Sequence, residues 1–259
     1  MCGIAGEFVC DSEKRIDLSL ILPIVSAIRH RGPDQWGYYV GCGGTALLIN
    51  TRLSIVDLAN GKQPLSNEDG SVWVVLNGEL YGFADTAADL ARRGHRFRTR
   101  SDTEVIVHLY EEYGEDFVAH LRGEFAIALL DQRQNLLYLV RDRFGIKPLY
   151  YAELPHSVVF GSEIKALFQQ PALPRKLDHA SIFHILHGVL LPGATAFEGV
   201  RALEPGCMLR VSRSGVQRLR YWDLPVVEEP LRINEEEAVE EFRRLFYESV
   251  RLRLHGDVE

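Results

Sequence analysis

Cysteine is scarce in this sequence. Its 259 residues hold four, at positions 2, 10, 42 and 207, too few and too scattered for a disulfide scaffold. No CxxC pair occurs, so the usual spacing of a structural zinc site is missing. The pair His184 and His187 has helical i,i+3 spacing but no third ligand nearby, and reads as packing or surface. Long apolar runs are missing too. No stretch approaches the ~20 residues that cross a bilayer, and the first residues lack the basic start and apolar core of a secretory signal. The expectation is a cytoplasmic protein with no membrane partner. An excess of positive charge is also absent. Lys and Arg number 29 against 36 Asp and Glu, a net charge of −7, which argues against nucleic acid as a partner. The local cluster Arg92, Arg93, Arg96, Arg98 and Arg100 reads as a solvated helix end and the loop after it.

What is present is ordinary globular material. Hydrophobic residues make up 46% and charged residues 25%, enough to bury a core. The length suits one large domain, or one domain with an appendage. Short β-prone runs dominate: Ile4–Val9, Gly37–Val40, Ala46–Asn50, Phe125–Leu130, Leu136–Val140, Leu149–Tyr151 and Val158–Phe160. The run Val72–Leu76 (VWVVL) is apolar throughout, the mark of a strand covered on both faces. Helical periodicity marks Leu18–Arg29, Phe83–Arg93 and Asp102–Tyr113. The last of these has Ser101 or Asp102 as N-cap and Gly114 as its stop. Shorter helices fit Ser162–Phe168 and Ala180–His187, and Cys207–Val211 with Val216–Tyr221 reads as a hairpin turning at Ser214-Gly215. Strands come in runs rather than alternating with helices, so the fold class is α+β with mostly antiparallel sheets, stacked and covered by helices.

After Tyr221-Trp222-Asp223 the character changes. Pro225, Glu228, Glu229 and Pro230 read as a linker. Glu235–Leu254 is strongly amphipathic, with Ala238, Val239, Phe242, Leu245, Phe246 and Val250 on one side.

The chemistry starts from position. Cys2 follows the initiator methionine, and a small second residue permits removal of Met1. One residue then carries both a thiol and a free α-amine of pKa about 7.7–8.0, a nucleophile and its base together. Taken alone, a cysteine at position 2 is more simply chance. A series of segments in fixed order changes that reading. Cys2-Gly3-Ile4-Ala5-Gly6 opens a strand with glycines suited to close backbone approach. Then come Arg29–Asp34 (RHRGPD), Arg52–Asp57 (RLSIVD), Gln63-Pro64-Leu65, and Asn77–Tyr81 (NGELY) closing the VWVVL strand. Ser101–Glu104 (SDTE) opens a helix. Arg141–Tyr151 (RDRFGIKPLYY) and Ser162–Leu167 (SEIKAL) complete the series.

In that order the segments resemble the class II glutamine amidotransferases, the N-terminal-nucleophile type. The resemblance is closest to the glutaminase domain of glutamine-hydrolysing asparagine synthetases, and it runs from Cys2 to about the end of the chain. It implies a four-layer αββα sandwich over residues 2–222. It implies L-glutamine as substrate, Cys2 as nucleophile attacking the side-chain amide, and a glutamyl thioester. Asn77 and Gly78 would stabilise the oxyanion. Arg52, a planar fork suited to a carboxylate, would hold the substrate α-carboxylate, and Glu79 with Asp102 its α-ammonium. Leu53, Ser54, Ile55 and Val56 would line the pocket. Blander roles stay open: Arg52 in a surface ion pair, Asp102 as helix capping, and Arg141–Lys147 as a plain solvated turn where the resemblance implies a structural segment under the active site.

The resemblance implies no metal and no cofactor for the glutaminase step. ATP and magnesium belong to a synthetase domain, whose pyrophosphate-binding loop has no counterpart here, so residues 223–259 read as a linker and that domain's first helix. A synthetase domain or subunit is the expected partner, with a homodimer left open. Two other functions remain: an amidotransferase domain serving another acceptor, and a catalytically idle scaffold. The sequence departs from the family at Gly82, where Asn often follows NGE(I/L)Y; Gly there is expected to loosen the loop.

Overall fold

The computed structural model describes residues 1–189, 191–227, 229, 232–254 and 256–257. In chain order the elements are β1 (Gly3–Val9), α1 (Ile21–Ile28), β2 (Gln35–Gly41), β3 (Ala46–Arg52), β4 (Leu65–Ser66), β5 (Val72–Leu80), α2 (Phe83–Arg92), α3 (Asp102–Tyr113), β6 (Gly123–Asp131), β7 (Leu136–Arg141), β8 (Tyr150–Glu153), β9 (Ser157–Gly161), α4 (Ile164–Leu167), α5 (His179–Leu186), β10 (Val200–Ala202), β11 (Cys207–Ser212), β12 (Gly215–Arg220) and α6 (Glu235–Arg253). The strands form two six-stranded sheets. One runs β10-β8-β9-β1-β3-β2 and the other β12-β11-β7-β6-β5-β4.

The pleat sorts each strand's side chains into two destinations. From β1, Ile4 and Phe8 face the second sheet, where they meet Val75 of β5 and Ala126, Ala128 and Leu130 of β6. Ala5 and Val9 face the other way, onto Ile21, Ile24, Val25 and Ile28 of α1. On the second sheet, Val74 and Leu76 of β5 and Phe125, Ile127 and Leu129 of β6 lie under Val105, Ile106 and Leu109 of α3. The layers are therefore helix, sheet, sheet, helix: the αββα sandwich. Both faces of the central strands are covered, which is why β5 reads as an unbroken apolar run. At Gly6 a Cβ would run into the Leu47 carbonyl and the Phe160 ring, so that strand crossing requires glycine.

The helix expected over Asp102–Tyr113 has those bounds. Ser101 caps it by accepting the Thr103 N–H at 3.3 Å, and Gly114 ends it at φ +56°. The strand expected over Val72–Leu76 is longer. β6 pairs with it continuously from Val72↔Asp131 to Leu80↔Gly123. Backbone pairing is indifferent to side-chain polarity, so the polar Asn77, Gly78 and Glu79 are strand residues like the apolar run before them. Strands β4 and β10, two and three residues long, leave no periodicity to read.

Between β12 and α6 the described residues form no helix or strand; Glu228 and Pro230 of the expected linker lie outside the described residues. α6 starts with a capping box, Asn234 with Glu237. None of its residues is buried, and Val239, Phe242, Leu245, Phe246 and Val250 are all exposed. It touches the sandwich through Arg122–Glu248 at 3.0 Å and through Arg253 over the Tyr81 ring.

Two phenylalanines test this layering. Phe160, 1% exposed between the sheets, is expected to cost about 3–5 kcal/mol of unfolding free energy as Phe160→Ala. Phe246, 56% exposed on α6, is expected to change it by less than about 0.5 kcal/mol as Phe246→Ala. Urea unfolding of the two variants measures both, and equal losses would contradict the layer assignment.

Candidate active site

Three strands deliver polar side chains to one end of the inter-sheet interface. In β1 the even positions Ile4 and Phe8 face between the sheets, and Cys2 continues that parity one step before the strand. In β3 the inward set is Ala46 and Leu48, continued by Asn50 and Arg52. In β5 it is Val75, continued by Asn77 and Glu79. β1 and β3 are antiparallel with Gly3 opposite Thr51. The start of one therefore meets the end of the other, and Cys2 stands beside Arg52.

Cys2 is held by its main chain. Arg31 Nε donates to the Cys2 carbonyl at 3.0 Å, and Arg31 Nη1 reaches Glu163 at 3.1 Å. Glu163 also takes His30 at 2.8 Å and Lys165 at 3.0 Å. Burial acts against its charge, but the hydrogen bonds from Lys165, Arg31 and His30 hold the Glu163 carboxyl below the usual carboxylate range. Next along, the Ile4 N–H donates to Ser162 Oγ at 3.0 Å, and the Ser162 N–H donates to the Ile4 carbonyl at 2.8 Å. The RHRGPD and SEIKAL segments thus clamp the residues on either side of the first strand's start.

The thiol opens into a pocket of about 510 Å³, open solvent at its mouth included. Nine of the ten residues expected at the site line it: Cys2, Arg52, Leu53, Ile55, Val56, Asn77, Gly78, Glu79 and Asp102. Ser54 does not; its N–H is committed to Asp34 at 2.8 Å. The Cys2 thiol donates to the Leu53 carbonyl across 3.7 Å. Burial pushes this thiol above its ordinary pKa, and the negative charge of Asp102 adds to the shift while Arg52 opposes it.

Asn77 is wholly buried, and neither its side-chain oxygen nor its nitrogen has a hydrogen-bond partner among the described residues. A buried amide left unpaired costs about 1–3 kcal/mol, so this one is poised for a ligand. Asp102, the first residue of α3, accepts the Leu80 N–H at 3.0 Å and so ties the helix start to the end of β5. Arg52 is placed at the pocket, but its Nη2 donates to the carbonyls of Val56 at 2.7 Å and Asp57 at 2.8 Å, and its Nη1 to Gln35 at 3.1 Å. Among the described residues no carboxylate lies within ion-pair distance of it. Among these residues the surface ion pair does not form; Arg52 folds the loop that follows its own strand.

Sequence reasoning gave no site role to Gln63, Ser101, Thr103 and Lys147, which also line the pocket. Gln63 bridges Thr103 Oγ1 at 3.1 Å and the Leu76 N–H at 2.7 Å. Lys147 pairs with Glu124 at 3.1 Å and donates to the Met1 thioether at 3.2 Å. Its place is set by Asp142, which accepts the N–H groups of Phe144, Ile146 and Lys147, each at 3.0 Å. The density of Asp and Arg in RDRFGIKP signals such a self-bonded turn. Gly82 has φ +68° at the start of α2. That left-handed region is open to Gly and, among other residues, best to Asn, so the exchange with the family's Asn preserves the turn. His184 lies on α5, and His187, at its C-cap, donates its Nδ1–H to the Phe183 carbonyl at 2.8 Å.

A family model described as a glutamine amidotransferase domain matches residues 1–222. The chain is similar to asparagine synthetase (glutamine-hydrolyzing) 2 of Bacillus subtilis (strain 168), 39% identical over 277 aligned residues. That alignment covers 100% of this chain and 36% of the relative. It is 45% identical over 168 residues to asparagine synthetase (glutamine-hydrolyzing) 3 of Arabidopsis thaliana, covering 64% of this chain and 28% of that protein. The chain thus spans roughly a third of these relatives' length. A solved structure, the glutamine phosphoribosylpyrophosphate amidotransferase from B. subtilis complexed with ADP and GMP, superposes with a TM-score of 0.62 at 20% identity, covering 85% of this chain and 49% of that one. Its bearing is on the fold alone.

The raised thiol pKa has a measurable sign. Only the thiolate is alkylated, so in chain that retains Met1 the labelling of Cys2 by iodoacetamide is expected to be slow at pH 7 and still climbing at pH 9. An ordinary thiol near pKa ~8.5 is levelling off there. Peptide mass mapping across pH reads the rate at Cys2 itself.

Proposed function

This chain belongs to the glutamine amidotransferase domain family, and on that premise we propose that it hydrolyses L-glutamine to glutamate and ammonia through a thioester on Cys2. The observation that carries the reading is the unpaired, fully buried Asn77 amide in the pocket that Cys2 opens into. Met1 is removed first, which frees the Cys2 α-amine and withdraws the thioether from Lys147. The Cys2 Sγ then attacks the side-chain amide carbon, and its proton passes to the α-amine. The carbonyl oxygen becomes an oxyanion, met by the Asn77 amide N–H and the Gly78 backbone N–H. Collapse expels ammonia, which takes the proton from the α-amine, and leaves a glutamyl thioester. Water hydrolyses the thioester and restores the thiol.

Glu79 and Asp102 supply negative charge for the substrate α-ammonium. Arg52 takes the α-carboxylate, and for that it must give up the Val56 or Asp57 carbonyl. A charge-assisted bidentate pair is stronger than two bonds to neutral carbonyls, so substrate entry favours the exchange and moves the loop over Leu53–Val56. The protein groups handle every proton and charge in this scheme, and it calls for no metal or cofactor.

The relatives' names indicate what consumes the ammonia. We take residues 2–222 as the glutaminase domain and residues 223–259 as the passage into a synthetase portion, where ATP and magnesium would support amidation of aspartate. The exposed apolar face of α6 is consistent with that passage.

Glutamate release from L-glutamine, with intact mass recorded, tests the proposal. Chain lacking Met1 is expected to be active and Cys2→Ala inactive. Asn77→Ala is expected to lower kcat by about 100–1000-fold; a loss of under about threefold would remove Asn77 from the oxyanion role. Arg52→Lys is expected to raise KM at least tenfold with a smaller change in kcat, since lysine cannot pair bidentately.

A further inference from the structure

On the helix-layer side of the second sheet, three segments bring two histidines and several carboxylates together. Glu68 comes from the β4–β5 connection, His95 from the turn after α2, and His108 from the middle of α3. One ligand atom from each of these three lies within 4.8 Å of the other two. His108 Nδ1 is 3.8 Å from Glu68 Oε2 and 3.2 Å from Glu111 Oε2, and His95 Nδ1 is 3.6 Å from that same Glu111 oxygen. Donors bonded to one tetrahedral ion at about 2.0–2.2 Å stand roughly 3.4 Å apart. The two rings, 5.1 Å apart and inclined at 63°, do not stack on each other.

The surrounding bonds fit a cation better than neutral rings. Glu68 uses its other oxygen to accept the Arg96 N–H at 2.8 Å, and Glu111 uses its other oxygen to accept Asn67 Nδ2 at 2.6 Å. The Nε2 of His95 faces Glu112 at 3.3 Å, and the Nε2 of buried His108 faces Glu104 at 3.8 Å with no hydrogen-bond partner among the described residues. In neutral rings with Nδ1–H turned to Glu111, both Nε2 lone pairs would point at carboxylates. A metal ion on the Nδ1 side reverses this, because each Nε2–H then donates to a carboxylate, the arrangement that orients ligating histidines.

We propose that Glu68, His95 and His108, with Glu111 as a fourth donor within reach, bind a divalent transition metal of the zinc class. Imidazole with carboxylate suits such an ion and is a poor set for magnesium or calcium. The site is structural. It ties α2, α3 and the β4–β5 connection together, and fixes the run that leads into Ser101 and Asp102. It plays no part in the thiol chemistry and stands whether or not glutamine is the substrate.

The test uses full-length Cys2→Ala chain, so that the pocket thiol cannot compete, titrated with Zn²⁺ by calorimetry and with Co²⁺ by absorption. One equivalent is expected per chain, with tetrahedral d–d bands and no thiolate charge-transfer band, and thermal melting is expected to rise with Zn²⁺. Glu68→Gln and His95→Gln, both at side chains that reach solvent, are expected to weaken binding at least tenfold and to abolish the melting shift. Binding unchanged in both variants, a thiolate band, or no binding by the parent would each overturn the proposal.

Discussion

Side chains on a strand alternate, and between two stacked sheets that alternation leaves only two destinations, the helix layer or the facing sheet. Everything at the candidate site depends on this. The inward sets of β1, β3 and β5 are apolar for most of their length and turn polar at one shared end. There Cys2, Arg52 and Asn77 arrive on the same side of their strands without any loop having to aim them. The apolar stretch behind them excludes water, which makes an unpaired amide such as Asn77 costly at rest.

Around this end the chain invests its charged residues in holding backbone. Arg31 fixes the Cys2 carbonyl, Arg52 fixes the carbonyls of Val56 and Asp57, and Asp142 fixes the turn that carries Lys147. Such bonds are short-range and directional, so they set positions that apolar packing alone leaves loose. Arg52 is the exception in kind: its partners are carbonyls of a loop, and under the proposed function a carboxylate ligand would replace them, making the same group latch and receptor.

Much of this was legible in the sequence. Apolar periodicity located the long helices and most strands, and α3 had the bounds its Ser101 cap and Gly114 stop predict. The ordered segments gave the family and the αββα sandwich. The apolar run marked β5 only over Val72–Leu76; its polar end, Asn77-Gly78-Glu79, is strand because it pairs to β6, and that pairing leaves no mark on those residues themselves. Ser54 was grouped with its neighbours by contiguity, while the Asp34 contact that claims its N–H is set by a residue 20 positions away. Gln63 and Lys147 escaped for the same reason, since each reaches the pocket through contacts that only the folded chain creates. The Glu68, His95 and His108 cluster is likewise drawn from three separate segments, and no spacing rule could have found it.

The clamp around the first strand also governs how the protein can be made. Ile4 is bonded to Ser162, 158 positions further along the chain, and β1 lies between β3 and β9 in the middle of its sheet. During synthesis the residues beside Cys2 emerge first, yet one edge of their strand has no partner until β9 has left the ribosome. Contacts of such span slow folding and leave unpaired edges exposed meanwhile. Until then the Cys2 end of β1 lacks half of its clamp, which closes only once nine of the twelve strands and Ser162 have been translated.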